Sequence, residues 1–238
     1  LQLIRSLIFQ VWFFATAVFF AALVVLCAPF SYATRFSIAR GWGHAMLWGG
    51  RFFCGLDYVI EGKENIPSNA SVIMIKHSTV FETYAQLITF PPQTWVLKRE
   101  LQWIPIFGWG LALMKPIAIN RSAGRRAVTQ VIELGKKRLA SGIWVSIFPE
   151  GTRVAAGEKK KFGVSGAALA VEAGCLIVPV AHNAGEFWPR RGLTKKPGLI
   201  RFCIGPAIDP AGLTPKEANE LVREWIENKM AEISQLHD

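Results

Sequence analysis

The chain has 238 residues, enough for one sizeable α/β domain with length left for an appendage. Half of it is hydrophobic (51%) and only 18% is charged, which is greasier than an ordinary soluble enzyme and points to a membrane. The 27 Lys and Arg against 17 Asp and Glu give a net charge of +10, which fits nucleic acid, phospholipid headgroups or a phosphorylated substrate and does not choose among them. Cys27, Cys54, Cys175 and Cys203 form no C-x-x-C pair and have no metal-like spacing with the histidines, so free thiols and no metal site are expected.

The first element is apolar. No charge falls between Arg5 and Arg35, and from Leu7 to Phe30 only Gln10 and Thr16 are clearly polar. About 20 apolar residues at ~1.5 Å rise cross the ~30 Å hydrocarbon core, so the run suffices for a membrane anchor. A secretory signal is the competing reading, but its apolar stretch would be only about 7 to 15 residues long. Arg35, Arg40 and Arg51 follow the run whereas Arg5 alone precedes it, which by the positive-inside bias places the body on the cytoplasmic side of an inner membrane. Residues 36–56 interleave Trp42, Trp48, Phe52 and Phe53 with Arg40, His44 and Arg51, as suits either the headgroup layer or a core helix. This divides the chain into an anchoring, interfacial helical segment at 1–56 and an α/β domain at 57–238.

From residue 57 short apolar runs alternate with polar, Gly-rich or Pro-containing stretches. "DYVIEG", "SVIMIK", "TWVLK", "KPIAIN", "IWVSIF", "LIVPVA" and "LIRFCI" predict seven strands. Helices are predicted at about 79–90, 122–141 and 163–174. Thr214-Pro215-Lys216-Glu217 supplies the cap, Pro and capping-box Glu of a last helix, whose apolar spacing packs it on the domain. Alternation of strand and helix implies a mostly parallel sheet flanked by helices.

In such sheets, chemistry gathers at the carboxyl ends of strands. After "SVIMIK" come His77 and Glu82; after "TWVLK", Arg99; after "KPIAIN", Arg121; after "IWVSIF", the run "FPEGTR". A five-residue spacing pairs two side chains on neither a helix nor a strand, so His77 and Glu82 meet only if the strand ends at Lys76 and a turn leads into a helix near Thr79. A carboxylate on one ring nitrogen would leave the other free to take a proton, which makes His77 a candidate general base for an external hydroxyl. "FPEGTR" sets a stiff Pro, the Glu150 carboxylate, a turn glycine (Gly151), the Thr152 hydroxyl and the Arg153 guanidinium right after a buried strand; Arg153, with Arg121 and Lys98, would gather cations for a phosphate beside that base. Each alone is an ordinary surface group; their convergence is what the hypothesis adds. Glu158-Lys159-Lys160-Lys161 reads equally as a solvated loop or as a grip on an anionic lipid or carrier. "GVSGA" at 163–167 misses the G-x-S-x-G elbow, because Ala167 stands where Gly is needed, and no Walker A, G-x-G-x-x-G or H-E-x-x-H occurs.

These residues resemble the glycerolipid acyltransferases typified by bacterial 1-acyl-sn-glycerol-3-phosphate acyltransferase. His77 to Glu82 is similar to the family's H-x-x-x-x-D block; Lys98 through "ELQWIPIFGW" to "IAINR" is similar to the second, "FPEGTR" to the third, and Val178-Pro179-Val180 to the fourth. Two departures stand out: Glu82 replaces the usual Asp, and Lys76 precedes His77 where Asn or Ser is common. Lys76 is placed either to serve the phosphate or to depress the His77 pKa.

The resemblance implies transfer of a fatty acyl group from acyl-CoA or acyl carrier protein to the sn-2 hydroxyl of lysophosphatidic acid at a membrane bilayer. It further implies His77 as base, Glu82 as its partner, Arg121, Glu150, Gly151 and Arg153 at the phosphate, and Val178, Pro179 and Val180 shaping the acyl or donor region. No acyl-enzyme, resident cofactor or nucleic-acid partner is expected. Acylation of another lysolipid, such as a lyso-ornithine lipid or lysophospholipid, is the near alternative; a lipid hydrolase or a lipid-binding scaffold is the more distant one.

Overall fold

All seven apolar runs are strands in the computed structural model, which describes residues 1–120, 123–190 and 192–236. They are β1 (Leu56–Glu61), β2 (Val72–Ile75), β3 (Gln93–Lys98), β4 (Ile117–Ile119), β5 (Trp144–Ile147), β6 (Ile177–His182) and β7 (Gly198–Ile204). They form one sheet in the order β1-β7-β6-β2-β5-β3-β4. Every pairing is parallel except β6 with β7.

The period of two divides each central strand between two cores. Ile73 and Ile75 of β2 face one, with Phe81 and Tyr84, while Val72 and Met74 face the other, with Leu169 and Val222. The first layer holds α1 (Gln2–Leu26), α2 (Tyr32–Gly49) and α3 (Phe81–Thr89), with α4 (Phe107–Leu113) on α1. The second holds α5 (Arg125–Ala140), α6 (Ser165–Ala173) and α8 (Pro215–Ile233), and a single turn, α7 (Ala184–Phe187), follows β6. The predicted capping box of α8 forms: Thr214 Oγ1 accepts from the Glu217 N–H, and Glu217 accepts from the Thr214 N–H.

The chain leaves β2 for α3 on the first face, and leaves the neighbouring β5 for α6 on the second. That divergence opens a crevice between the ends of β2 and β5, the switch point at which open α/β sheets place ligands.

Two features differ from the sequence expectations. Helix α3 begins two residues later than expected, because Ser78 and Thr79 stay in the turn to serve Glu82. Helix α4 lies in a segment with no predicted helix, "IPIFGWGLAL". Within residues 36–56, Phe36, Met46 and Leu47 are core, as a core helix requires, while Trp48 and Phe52 are 53% and 63% exposed.

Helix α1 is long and apolar enough to cross a membrane. It is nevertheless held along the domain from end to end. Gln2 donates to the carbonyls of Cys54 and Lys195 at 3.0 and 2.8 Å, and Arg5 Nε donates to the Phe53 carbonyl at 2.6 Å. Midway, Trp12 Nε1 donates to the Ala45 carbonyl at 3.1 Å. At the far end α4 closes on Ala21 through Gly110, where a Cβ would stand 3.0 Å from the Ala21 carbonyl oxygen. One stripe, including Phe9 and Val24, enters the sheet's core; the opposite stripe, Ile4, Ile8, Val11, Phe14 and Val18, is apolar and exposed.

Candidate active site

Strand β2 is fully buried and ends at Ile75, and the next five residues turn the chain toward α3. Glu82, in the first turn of α3, folds back on that turn as an acidic residue does at a helix start. Its Oε1 accepts from the Ser78 and Thr79 N–H groups at 2.8 and 2.9 Å, and its Oε2 accepts from Thr79 Oγ1 at 2.6 Å. The same Oε1 lies 2.8 Å from His77 Nδ1. The pair that neither helix nor strand spacing allows is made by the turn, and the extra methylene of Glu over Asp does not prevent it.

Glu82 is 0% exposed. Burial pushes its carboxyl up, but neighbouring His182 and the His77 and Thr79 bonds outweigh burial and hold it well below the usual carboxylate range. An ionised carboxylate only accepts, so the His77 proton resides on Nδ1 and the Nε2 lone pair is free. No described residue bonds to Nε2. The ring stacks on Phe148, with centroids 4.0 Å apart and planes at 14°, which fixes the direction in which Nε2 points.

The "FPEGTR" loop closes on the same histidine. Glu150 Oε2 accepts the His77 N–H at 3.2 Å, and the Val154 N–H donates to the His77 carbonyl at 2.7 Å. Gly151 takes φ +68°, the left-handed conformation that this turn requires. Thr152 and Arg153 are half-buried between those two anchor points. Lys76 is buried and directs Nζ at Glu150 Oε1, 3.8 Å away.

Lys98 ends β3, two strands or ~10 Å from β2, and is exposed beside Glu100 at 3.9 Å. Val178, Pro179 and Val180 lie inside β6 in the sheet's interior. Arg121 lies outside the described residues. The structure therefore brings together His77, Glu82, Glu150 and the loop carrying Thr152 and Arg153, and sets Lys98 apart.

A family model described as Acyltransferase matches residues 57–183, the stretch that contains all of this. A 1-acyl-sn-glycerol-3-phosphate acyltransferase of Pseudomonas aeruginosa is 42% identical over 98% of this chain and 93% of its own. The chain belongs to the acyltransferase family. It is also similar to the 1-acyl-sn-glycerol-3-phosphate acyltransferase of Borreliella burgdorferi, 27% identical over 76% of this chain and 75% of that one. Among solved structures, the LPA acyltransferase PlsC from Thermotoga maritima superposes with a TM-score of 0.79 over 98% of each chain at 22% identity, a likeness of fold.

One neighbour of the His77–Glu82 pair was not singled out from the sequence. His182 ends β6, is 0% exposed and sits 3.6 Å from Glu82 Oε2. The strand-end rule that singled out His77 applies equally to "LIVPVAH", and would have found it.

Glu150 gives the acyltransferase a pH signature. Burial raises its carboxyl from 4.5 to about 7, against the opposing pull of Lys76. Its folded pKa lies above its unfolded one, so this contribution to stability is full below pH 4.5 and is lost as the pH rises toward 7, at up to ~1.4 kcal/mol per unit. Glu150→Gln keeps an acceptor for the His77 N–H and cannot ionise. Its unfolding midpoint in detergent is expected to fall less between pH 5 and pH 8 than that of the wild type. Equal falls in the two proteins would contradict this assignment.

Proposed function

We propose that this acyltransferase moves a fatty acyl group from acyl-CoA or acyl carrier protein to the sn-2 hydroxyl of 1-acylglycerol-3-phosphate, forming phosphatidic acid. The observation that carries this reading is a buried His77–Glu82 pair whose Nε2 no described residue engages, at the switch point between the ends of β2 and β5. The acceptor hydroxyl gives its proton to His77 Nε2 as its oxygen attacks the thioester carbonyl carbon. The carbon–sulfur bond then breaks, and the departing thiolate takes the proton back from His77. Glu82 stabilises the imidazolium between those steps, so no protein nucleophile, resident cofactor or metal is needed.

The acceptor is inferred from the relatives' names together with the loop that sets Thr152 and Arg153 beside His77. Arg153, with Arg121, would hold the phosphate through planar bidentate bonds. Lys98 would act at longer range.

The acceptor is an amphiphile, and the outer stripe of α1 faces away from the domain as apolar surface. Trp103 and Trp109, 68% and 57% exposed, extend the apolar surface around α4. A helix held to the domain at both ends lies along the bilayer surface rather than through it, with aromatic rings at headgroup level. In this reading the protein sits on the cytoplasmic face of the inner membrane and meets its acceptor there.

Acyl transfer from one labelled thioester to a panel of lysolipids tests the acceptor. Lysophosphatidic acid is expected to react at least ~10-fold faster than uncharged 1-acylglycerol, the cost of an unpaired cationic site, and faster than lysophosphatidylcholine or a lyso-ornithine lipid, which lack its phosphate monoester. Preference for another lysolipid would overturn the acceptor and keep the reaction; release of free fatty acid would favour a hydrolase, and lipid binding without turnover a scaffold.

A further inference from the structure

Glu82 has a second imidazole beside it. His182 Nε2 lies 2.8 Å from the Lys76 carbonyl oxygen, and the Ala184 N–H points at His182 Nδ1 from 3.3 Å. A carbonyl only accepts and an amide N–H only donates, so these partners fix His182 as the neutral Nε2–H tautomer. Burial pushes its pKa down, which keeps it neutral. The Nε2–H edge also faces Glu82 Oε2 at 3.6 Å, so one ring touches both supports of His77: the backbone of the residue before it and the carboxylate bonded to it. The ring lies parallel to Phe202, with centroids 6.1 Å apart and planes at 13°, and is 0% exposed.

We propose that His182 is a positioning residue for acyl transfer, holding the Lys76 carbonyl and the Glu82 carboxylate in the register that keeps His77 Nε2 aimed at the crevice. This inference rests on the reading of His77 as the base and deepens it. His182 does not reach the crevice itself: it is 0% exposed, and Glu82 stands between it and His77. Its charged and titratable neighbours are Glu82 on α3 and Lys76 and His77 at the end of β2. A purely structural ring would be replaceable by any ring of its size. A positioning ring is replaceable only by a group that still donates to Lys76.

The test contrasts His182→Phe, which keeps the volume and the aromatic packing but removes the donor, with His182→Gln, which keeps a donor near the Nε2 position. In His182→Phe, kcat is expected to fall ~10-fold or more, part of the ~10²–10⁴ that a general base supplies, with the acceptor KM little changed. The acid limb of its pH–rate profile shifts to lower pH, because a loosened His77–Glu82 bond supports the imidazolium less. His182→Gln restores most of the rate and the limb. Ring-15N labelling of the four histidines supplies a readout independent of turnover: the low-field Nδ1–H signal of His77 is weakened in His182→Phe and returns in His182→Gln.

A folded His182→Phe protein with wild-type kcat, pH limb and His77 signal would overturn the inference. So would equal losses in both variants that follow only the fraction folded. If the wild type transfers no acyl group, the functional reading fails, and the His77 signal still decides whether His182 positions that ring.

Discussion

His77→Ala is expected to lower kcat by ~10²–10⁴-fold and to leave the protein folded. The first effect follows from geometry: no described residue engages Nε2, and the other ring nitrogen is committed to Glu82. The second follows from what remains. Without the imidazole, Glu82 still accepts from the Ser78 and Thr79 N–H groups and from the Thr79 hydroxyl, so the buried carboxylate is not left bare. The stacking on Phe148 is lost, at a cost of ~1 kcal/mol, a few degrees of Tm. Initial rates and thermal unfolding on the same preparation check both. Substantial residual transfer in a folded His77→Ala protein would remove the base from the mechanism.

Glu82→Ala is expected to do the reverse and fail first in stability, by ~3–5 kcal/mol. It strands four donors at a site with 0% exposure: His77 Nδ1–H, two backbone N–H groups and a hydroxyl. Those groups were desolvated on the understanding of a full negative charge, and alanine offers them nothing. The wild type carries the same dependence in its acid limb. The Glu82 pKa is depressed on folding, so its contribution to stability is present above ~4.5 and is lost as the pH falls below that value toward the folded pKa. Glu82→Gln keeps one acceptor oxygen; it is expected to fold better than Glu82→Ala and to remain nearly inactive, because an amide does not stabilise the imidazolium. Denaturant melts at neutral pH separate these outcomes, and a Glu82→Ala protein of wild-type stability would contradict the arrangement.

Much of the sheet was legible because its strands are buried on both faces and read as short apolar runs between turns. The sequence carried the turn from His77 to Glu82 for a geometric reason: five residues apart, they meet in no regular element. Other features depend on tertiary contacts that composition does not encode. The antiparallel pairing of β6 with β7 is set by how the chain returns past α7, and "LIRFCI" would read the same in either direction. Helix α1 has the hydropathy of a spanning helix and the contacts of one lying on a domain; the bonds of Gln2, Arg5 and Trp12 and the close approach of Gly110 distinguish the two. Lys76 looked available to a phosphate, yet it is buried and turned toward Glu150. His182 stands at a strand end as His77 does, but nothing local signals that Glu82 lies opposite it.

In the proposed mechanism the acceptor hydroxyl attacks the thioester directly, with His77 as the base. The measurement that tests it most directly is a rapid quench during turnover with labelled acyl-CoA and lysophosphatidic acid, with the label then divided among lipid product, free fatty acid and protein. Direct attack puts label in phosphatidic acid from the first turnover and none covalently on the protein, and His77→Ala forms no detectable product in the time of the first wild-type turnover. Label accumulating on the protein before product, or appearing only as free fatty acid, would contradict it.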